Sequence, residues 1–207
     1  MYQFFVEPSQ IQGNRIVITG SDVNHIKNVL RMKPGEEIAV SNGTDGKEYR
    51  CGIEELLEEE VICTLRFIKE DGLELPARVT FFQGLPKADK MEFIVQKAVE
   101  LGVSRIVPYL SKNCVSRPDK TEKKVERWRK IAAEAAKQCG RGRLPEVAAV
   151  VPVAQAIAQA AESETALFFY ENERRTGLRD ALAGGVRDTV SLMVGPEGGF
   201  DPAEAKA

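Results

Sequence analysis

The stretch that decides the fold is Val190-Ser191-Leu192-Met193-Val194-Gly195-Pro196-Glu197-Gly198-Gly199-Phe200. An apolar strand runs directly into a glycine-rich loop, and the following Asp201-Pro202-Ala203-Glu204 carries the N-cap, proline and capping box of a helix start. The loop therefore joins the carboxyl end of a strand to a helix N-terminus, the usual ligand position in an open α/β sheet. Its glycines expose backbone N–H and C=O groups to a ligand. A tight turn that binds nothing stays an open alternative.

The segments upstream of this loop alternate between strand and helix, which indicates a parallel α/β sheet. Its strands are predicted over residues 78–82, 105–109, 166–170 and 190–194. Two helices are predicted after the capping boxes Asp89/Glu92 and Asp119/Glu122, and they stop at Gly102 and Gly140. Their predicted buried faces are Met91, Ile94, Val95, Ala98 and Leu101 in the first, and Val125, Trp128, Ala132, Ala135 and Cys139 in the second.

The first seventy residues have a different pattern, typical of a small β-barrel with one helix. Strands are predicted over residues 3–6, 15–19, 37–40, 49–53 and 61–68, with turns at Asn42-Gly43 and Asp45-Gly46. The helix is predicted from Ser21 or Asp22 to about Met32. We therefore predict two domains, residues 1–72 and 73–207.

The composition excludes several classes of protein. Four scattered cysteines and one histidine support neither a zinc site nor a disulfide framework, so no metal is expected. The sequence has no recognisable signal peptide and no apolar run long enough for a membrane helix, so we expect a cytoplasmic protein without a membrane partner. The glycine-rich loop matches neither G-x-G-x-x-G nor a P-loop, so a dinucleotide or NTP is not indicated.

The basic charge is concentrated in one region, although the whole chain has a net charge of −2. Residues 117–143 hold ten Lys/Arg against four Asp/Glu, and this excess favours RNA binding. Within it, Gln138-Cys139-Gly140-Arg141-Gly142-Arg143 places two arginines beside glycines, a pattern suited to phosphate contacts. A solvated surface is the alternative for these charges. On the preceding helix, the predicted outer face carries Lys123, Arg127, Lys130 and Lys137.

Other candidate residues lie next to these features. Lys87 and Lys90 follow strand 78–82 at the edge of the sheet where the glycine-rich loop is expected, and Tyr170-Glu171 end strand 166–170 near the same crevice. His25 and Arg31 share the N-terminal helix, where packing or capping is the alternative role for His25.

Taken together, these residues resemble the RsmE-type family of 16S rRNA (uracil-N3)-methyltransferases in the SPOUT superfamily. The matching pieces run in family order: His25 with Val29-Leu30-Arg31, Lys87 to Glu92, Gln96-Lys97 with Glu100 to Val103, Arg127-Trp128 with Glu134 to Ala136, Gln138 to Arg143, Tyr170-Glu171, and Gly195 to Phe200. The resemblance implies a PUA-like β-barrel followed by an α/β-knot (SPOUT) methyltransferase domain. It also implies a homodimer that acts on 16S rRNA or the small ribosomal subunit.

The resemblance assigns the site residues as well. S-adenosylmethionine (SAM) is the expected cofactor, bound by Tyr170, Glu171, Gly195, Pro196, Glu197, Gly198 and Gly199. The expected RNA contacts are His25, Arg31, Lys87, Lys90, Arg127, Gln138, Arg141 and Arg143. Because uracil N3 must lose a proton, Arg141 and Arg143 are also the candidate catalytic residues that would stabilise the resulting anion.

The family pattern extends beyond the end of this sequence. It continues after the glycine-rich loop with a helix, a strand and a Leu-Gly-x-Arg-Ile-Leu-Arg-x-Glu-Thr-Ala segment, whereas this sequence ends at Ala207. We therefore expect the C-terminal part of the knot to be missing from this chain. Two alternatives remain: a non-catalytic RNA-binding or ribosome-assembly protein, and a SPOUT methyltransferase for another RNA site.

Overall fold

The computed structural model describes residues 1–70, 73–115, 121–185 and 187–206. The chain divides into two compact units. The first unit consists of Met1–Glu74 with Ala136–Leu144, and the second unit consists of Leu75–Ala135 with Pro145–Ala207. The basic segment that ends the long helix thus groups with the β-rich N-terminal residues.

The first unit is built on a six-stranded sheet. Its strands are β1 (Gln3–Phe5), β2 (Ile11–Gln12), β3 (Arg15–Thr19), β4 (Glu37–Ser41), β5 (Lys47–Leu56) and β6 (Glu60–Glu70), in the spatial order β1-β4-β5-β6-β3-β2. Alternating side chains such as Ile16, Ile18 and Val61 are almost fully buried, because every second residue of a strand faces the same side. All five predicted strands are confirmed, and β2 is an addition to them.

The N-terminal helix is shorter and less regular than predicted. Helix α1 (Ser21–Asn24) starts after Gly20, which occupies the N-cap in place of the predicted Ser21 or Asp22. It continues as a π-helical turn, His25–Val29, a rare form that recurs at functional sites. Arg31 then takes a φ of 55°, which ends the helical turn before the predicted Met32.

The second unit is a parallel sheet flanked by helices. Its strands are β7 (Arg78–Gly84), β8 (Arg105–Leu110), β9 (Glu146–Val147), β10 (Val151–Pro152), β11 (Thr165–Phe169) and β12 (Thr189–Val194). The order is β10-β8-β7-β12-β11, with β9 also paired to β8. Its helices are α2 (Lys90–Glu100), α3 (Thr121–Cys139, whose last four residues group with the first unit), α4 (Val153–Ala160) and α5 (Leu178–Ala181). The predicted α/β architecture is confirmed, whereas β9 and β10 were not predicted.

Several details of the helices differ from the sequence prediction. Asp89 occupies the N-cap of α2, but its side chain makes no capping hydrogen bond, because the N–H of Glu92 donates to the backbone carbonyl of Asp89 (3.0 Å). The Glu92 side chain pairs with Arg127 instead of closing the box. Leu101, predicted to be buried, is 75% exposed, since α2 ends at Glu100 and Gly102 reverses the chain with a φ of 95°. Cys139 is only half-buried. The predicted N-cap of α3, Asp119, lies outside the described residues.

Candidate functional site

The glycine-rich loop lies at one edge of the second unit's sheet, where the parallel strands end. It follows β12, and Tyr170 and Glu171 follow the neighbouring strand β11. A cleft of about 480 Å³ opens between the two strand ends. It is lined by Phe169, Tyr170, Glu171, Val194, Gly195, Pro196, Glu197, Gly198 and Gly199. The structure thus brings together all seven residues that the sequence assigned to cofactor binding.

The loop depends on glycine at positions where backbone and side chains approach closely. A Cβ atom at Gly84, the last residue of β7, would lie 2.6 Å from the ring of Pro196. At Gly199 the φ is 64° and a Cβ atom would overlap the carboxylate of Glu171. Glycine, which has no Cβ atom, is the residue that fits at both Gly84 and Gly199. The loop is therefore packed tightly against its neighbours on the strand ends.

Glu171 holds the loop in place. Its Oε1 accepts a hydrogen bond of 3.0 Å from the backbone N–H of Phe200. The ring of Phe200 is buried, with its centroid 4.3 Å from that of Phe168 and 6.5 Å from that of Tyr109. The carboxylate and the aromatic anchor together fix the C-terminal end of the loop.

Two polar residues that the sequence reasoning missed hold the loop from the other strands. Gln83, near the end of β7, is 5% exposed and donates from Nε2 to the carbonyls of Gly84 (2.8 Å) and Gly195 (3.2 Å). Asn113, after β8, donates from Nδ2 to the carbonyl of Gly198 at 3.1 Å. A polar residue at the carboxyl end of an otherwise apolar strand was the available signal for Gln83.

Tyr109 adds a third contact of this kind. Its hydroxyl donates to the carbonyl of Val194 at 2.8 Å, directly before the loop. Burial raises the pKa of Tyr109 above its ordinary value, so the hydroxyl stays protonated and remains a donor at neutral pH. The exit of β12 is therefore fixed by a residue of β8, the strand on the far side of β7.

The turn after the loop partly confirms the predicted capping box. Asp201 Oδ1 accepts a hydrogen bond from the N–H of Ala203 (2.9 Å), and Glu204 Oε2 accepts one from the N–H of Asp201 (3.2 Å). The residues that follow, Glu204–Lys206, form a 3₁₀ turn rather than an α-helix. Lys112 pairs with Asp201 at 2.6 Å and lowers the pKa of that carboxyl.

Glu197 carries the charge at the tip of the loop. It accepts a 2.6 Å hydrogen bond from Lys90 Nζ and two of 3.2 Å from the backbone N–H of Lys87. The hydrogen bond from Lys90 lowers the pKa of Glu197 from 4.5 to about 2. Lys90 and Lys87, predicted as RNA contacts, thus lie beside the glycine-rich loop, and their RNA role stays a prediction.

The pKa of Glu197 predicts a pH dependence of stability. A carboxyl whose pKa is lowered on folding stabilises the folded state above the unfolded pKa of 4.5, and this is lost as the pH falls towards about 2. We expect Glu197→Gln to lower the melting temperature relative to wild type above pH 5, with the difference disappearing between pH 4.5 and 2. Thermal unfolding of both proteins across this range measures it. A difference that is constant with pH would contradict the assignment.

The remaining predicted RNA contacts lie in different surroundings. In the first unit, His25, Arg31, Gln138 and Arg143 are exposed, with the His25 ring packed edge-on against Phe4 at 6.4 Å. Arg141 is 4% exposed, and its Nη2 lies 2.6 Å from Glu74 Oε2.

In the second unit, Arg127 is paired with Glu92, with Nε and Oε1 2.7 Å apart. On the outer face of α3, Lys123 and Lys130 are exposed, whereas Lys137, within the first unit, pairs with Asp22 at 3.1 Å. The RNA roles of these residues stay predictions.

Within the described parts of the chain, no group of three or more His, Cys, Asp or Glu side chains is arranged to hold a metal ion. No helix among those residues has the length and apolar character needed to cross a membrane.

Comparison with known proteins gives a consistent result. Residues 73–207 match the family model of the RNA methyltransferase domain, and residues 18–66 match that of the RNA methyltransferase PUA domain. Ribosomal RNA small subunit methyltransferase E of Bacillus subtilis is 33% identical over 216 residues, covering 100% of this chain and 84% of the relative. The Aquifex aeolicus protein of the same name is 30% identical over 208 residues, covering 100% and 86%.

Solved structures agree with this. Ribosomal RNA small subunit methyltransferase E from Neisseria gonorrhoeae, solved bound to SAM, superposes with a TM-score of 0.86 at 29% identity, covering 100% of this chain and 84% of that one. A Legionella pneumophila protein solved with bound SAM gives a TM-score of 0.85 at 29% identity, covering 99% and 84%. The predicted combination of a PUA-like part and a methyltransferase part is therefore confirmed. The chain belongs to the RNA methyltransferase family of ribosomal RNA small subunit methyltransferase E.

Proposed function

We propose that this protein transfers a methyl group from SAM to N3 of a uridine in the 16S RNA of the small ribosomal subunit. The observation that carries the proposal is the glycine-rich loop at the end of β12, which together with Tyr170 and Glu171 lines a cleft of about 480 Å³. The two relatives of known structure that were solved with SAM support the choice of cofactor.

The residues of this cleft fit SAM. The three glycines of the loop add no side chains of their own to the cleft, and the cleft volume falls in the range of small-molecule sites. Glu171, Gln83 and Asn113 hold the loop from three sides, so the loop is organised before the cofactor binds. Gly195, Gly198 and Gly199 would hold the cofactor mainly through their backbone groups. SAM would supply an electrophilic methyl group there.

The reaction requires deprotonation and alignment of the target nitrogen. Uracil N3 is an imide nitrogen, so it must lose its proton before it can accept a methyl group. Positioning of the base accounts for a large part of the expected rate, because alignment removes an entropic barrier. A cation near the base would favour the deprotonated form. Arg143, which is exposed, is proposed for this role, whereas Arg141, the other candidate, is buried against Glu74.

The two parts of the chain have different proposed tasks. Residues 1–72 are proposed to hold RNA, and residues 73–207 to carry out methyl transfer, a division that the two family matches support. The exposed Lys123 and Lys130 add positive charge on α3 that would attract the phosphate backbone. We further propose that the protein acts in the cytoplasm as a homodimer.

The proposal is tested by SAM-binding calorimetry and by transfer of radiolabelled methyl groups from SAM to small-subunit RNA, offered both free and in the assembled subunit. We expect one SAM per chain and label in the 16S RNA. RNA binding without SAM binding would leave a non-catalytic RNA-binding protein and overturn the proposal.

A further inference from the structure

Arg141 is held by a carboxylate inside the first unit. Only 4% of the arginine is exposed, and Glu74 accepts hydrogen bonds from its Nε (3.2 Å) and Nη2 (2.6 Å). Such a two-point pairing fixes the plane of the guanidinium as well as its charge. A phosphate could replace Glu74 only by opening this buried pair, so Arg141 is poorly placed to make the first contact with RNA.

The same carboxylate also fixes the backbone of the neighbouring arginine. Glu74 Oε1 accepts a 3.2 Å hydrogen bond from the N–H of Arg143. Gln3 adds a further contact, because its Nε2 donates to the carbonyl of Arg141 at 2.8 Å. The Glu74 carboxylate thus contacts both arginines at once. It accepts from the guanidinium of Arg141 and from the backbone N–H of Arg143.

The turn between β4 and β5 completes the support of this segment. A Cβ atom at Gly142 would lie 2.6 Å from the carbonyl oxygen of Gly46, so the two backbones are in close contact. The N–H of Leu144 donates to the carbonyl of Gly43 at 2.9 Å, beside a parallel bridge between Gly43 and Arg143. Gly140 and Gly142 therefore allow close packing of the backbone in this unit, in addition to letting the chain turn.

Arg143 differs from Arg141 in its exposure. Its side chain runs along Gly46, where a Cβ atom would lie 3.1 Å from Arg143 Nε, and the residue is exposed. Among residues 1–70, 73–115, 121–185 and 187–206, no carboxylate lies within ion-pair distance of its guanidinium. Arg143 is a cation presented to solvent on a fixed backbone.

From this geometry we propose that Glu74 is a positioning residue: it anchors Arg141 inside the first unit so that Arg143 is presented to the RNA backbone. The inference rests on the proposed function, since it concerns how the same RNA substrate is held. Arg141 then acts as the internal tether of the segment, and Arg143 acts as its contact residue. Without Glu74, the buried guanidinium would lose this two-point pairing, and residues 141–143 would rearrange to expose it.

The test compares RNA affinity and SAM affinity of four variants at several salt concentrations: Glu74→Gln, Arg143→Ala, the double variant, and Glu58→Gln as a control. Glu58 is an exposed carboxylate of the same unit, so its substitution matches the charge change without touching the segment. We expect Glu74→Gln to weaken RNA binding by about tenfold while SAM affinity stays unchanged. Arg143→Ala should also weaken RNA binding. The slope of log affinity against log salt concentration should become shallower by about one, as expected for the loss of one phosphate contact.

The double variant separates positioning from general stability. If Glu74 acts through Arg143, Glu74→Gln should change RNA affinity by less than about twofold once Arg143 is alanine. If Glu74→Gln loses the same RNA affinity whether residue 143 is arginine or alanine, the inference is overturned. It is also overturned if Glu74→Gln binds RNA as well as Glu58→Gln does. If Glu74→Gln unfolds at the assay temperature, Glu74→Asp is measured instead. Its effect on RNA affinity should likewise fall below about twofold once Arg143 is alanine. A wild-type protein that binds neither SAM nor RNA would instead overturn the proposed function.

Discussion

Gly199→Ala is expected to abolish measurable SAM binding, a loss of at least about 100-fold in affinity, while the protein stays folded. The φ of 64° already disfavours alanine, and its Cβ atom would overlap the carboxylate of Glu171. Glu171 would have to move, and its hydrogen bond to the N–H of Phe200 would be lost. The substitution thus disturbs the loop at the point where it is held. Calorimetric titration with SAM measures the effect.

Gly185→Ala is the matched control for this prediction. Gly185 has a φ of 85° and belongs to the same unit, but a Cβ atom there would meet nothing within 4 Å. Both variants carry the strain of a positive φ, which should cost each roughly 1–2 kcal/mol of stability, and Gly199→Ala should lose more because of the clash with Glu171. Only Gly199→Ala should lose SAM. Normal SAM affinity in Gly199→Ala would contradict the assignment of the loop to the cofactor.

Phe200→Ala is expected to have the largest effect on stability. Its ring is 4% exposed and packs with Phe168, Tyr109 and the core at the base of the loop. Removing a buried phenyl ring typically costs about 3–5 kcal/mol in free energy of unfolding. Because the ring also anchors the loop, SAM affinity should fall as well. Denaturant unfolding and SAM titration of the same sample measure both effects.

Phe67→Ala serves as the control for Phe200→Ala. Phe67 is 57% exposed, so the same substitution there should change the free energy of unfolding by no more than about 0.5 kcal/mol. If Phe200→Ala unfolds at the same denaturant concentration as wild type, the ring does not anchor the loop and the account of the site is wrong.

The place of the glycine-rich loop in the fold could be predicted from the sequence because its signals are local. Strand β12 is mostly apolar, and the glycines after it allow the backbone conformations of a tight turn. Since parallel strands end at the same edge of a sheet, the end of β11 could be placed beside the loop as well. These inferences need only the order of elements along the chain. They do not need the contacts between distant side chains.

The details that sequence reasoning missed depend on such distant contacts. Glu74 and Arg141 are separated by 67 positions, and no periodicity or motif links them. The same holds for Glu197 and Lys90, 107 positions apart, and for the contact of Gln83 with Gly195. Leu101 was wrongly predicted to be buried for a different reason. Helical periodicity predicts a buried residue wherever the apolar pattern continues, but α2 has already ended at Glu100.

The basic region shows why a count of charges overstates an RNA-binding surface. Lys90, Arg127 and Arg141 were each predicted to contact RNA, and each is paired with a carboxylate. An exposed pair such as Arg127 with Glu92 is held weakly and can exchange for a phosphate at little cost. A buried pair such as Arg141 with Glu74 resists exchange, because both charges are already desolvated. The effective basic surface therefore depends on burial as well as on sequence.

The identity of the methylated nucleoside tests the central claim most directly. Small ribosomal subunits that lack the modification would be incubated with the protein and labelled SAM, and the 16S RNA would be digested to nucleosides and separated by chromatography with mass detection. We expect label in 3-methyluridine from the 16S RNA. Label in a different nucleoside, or no label despite bound SAM, would contradict it.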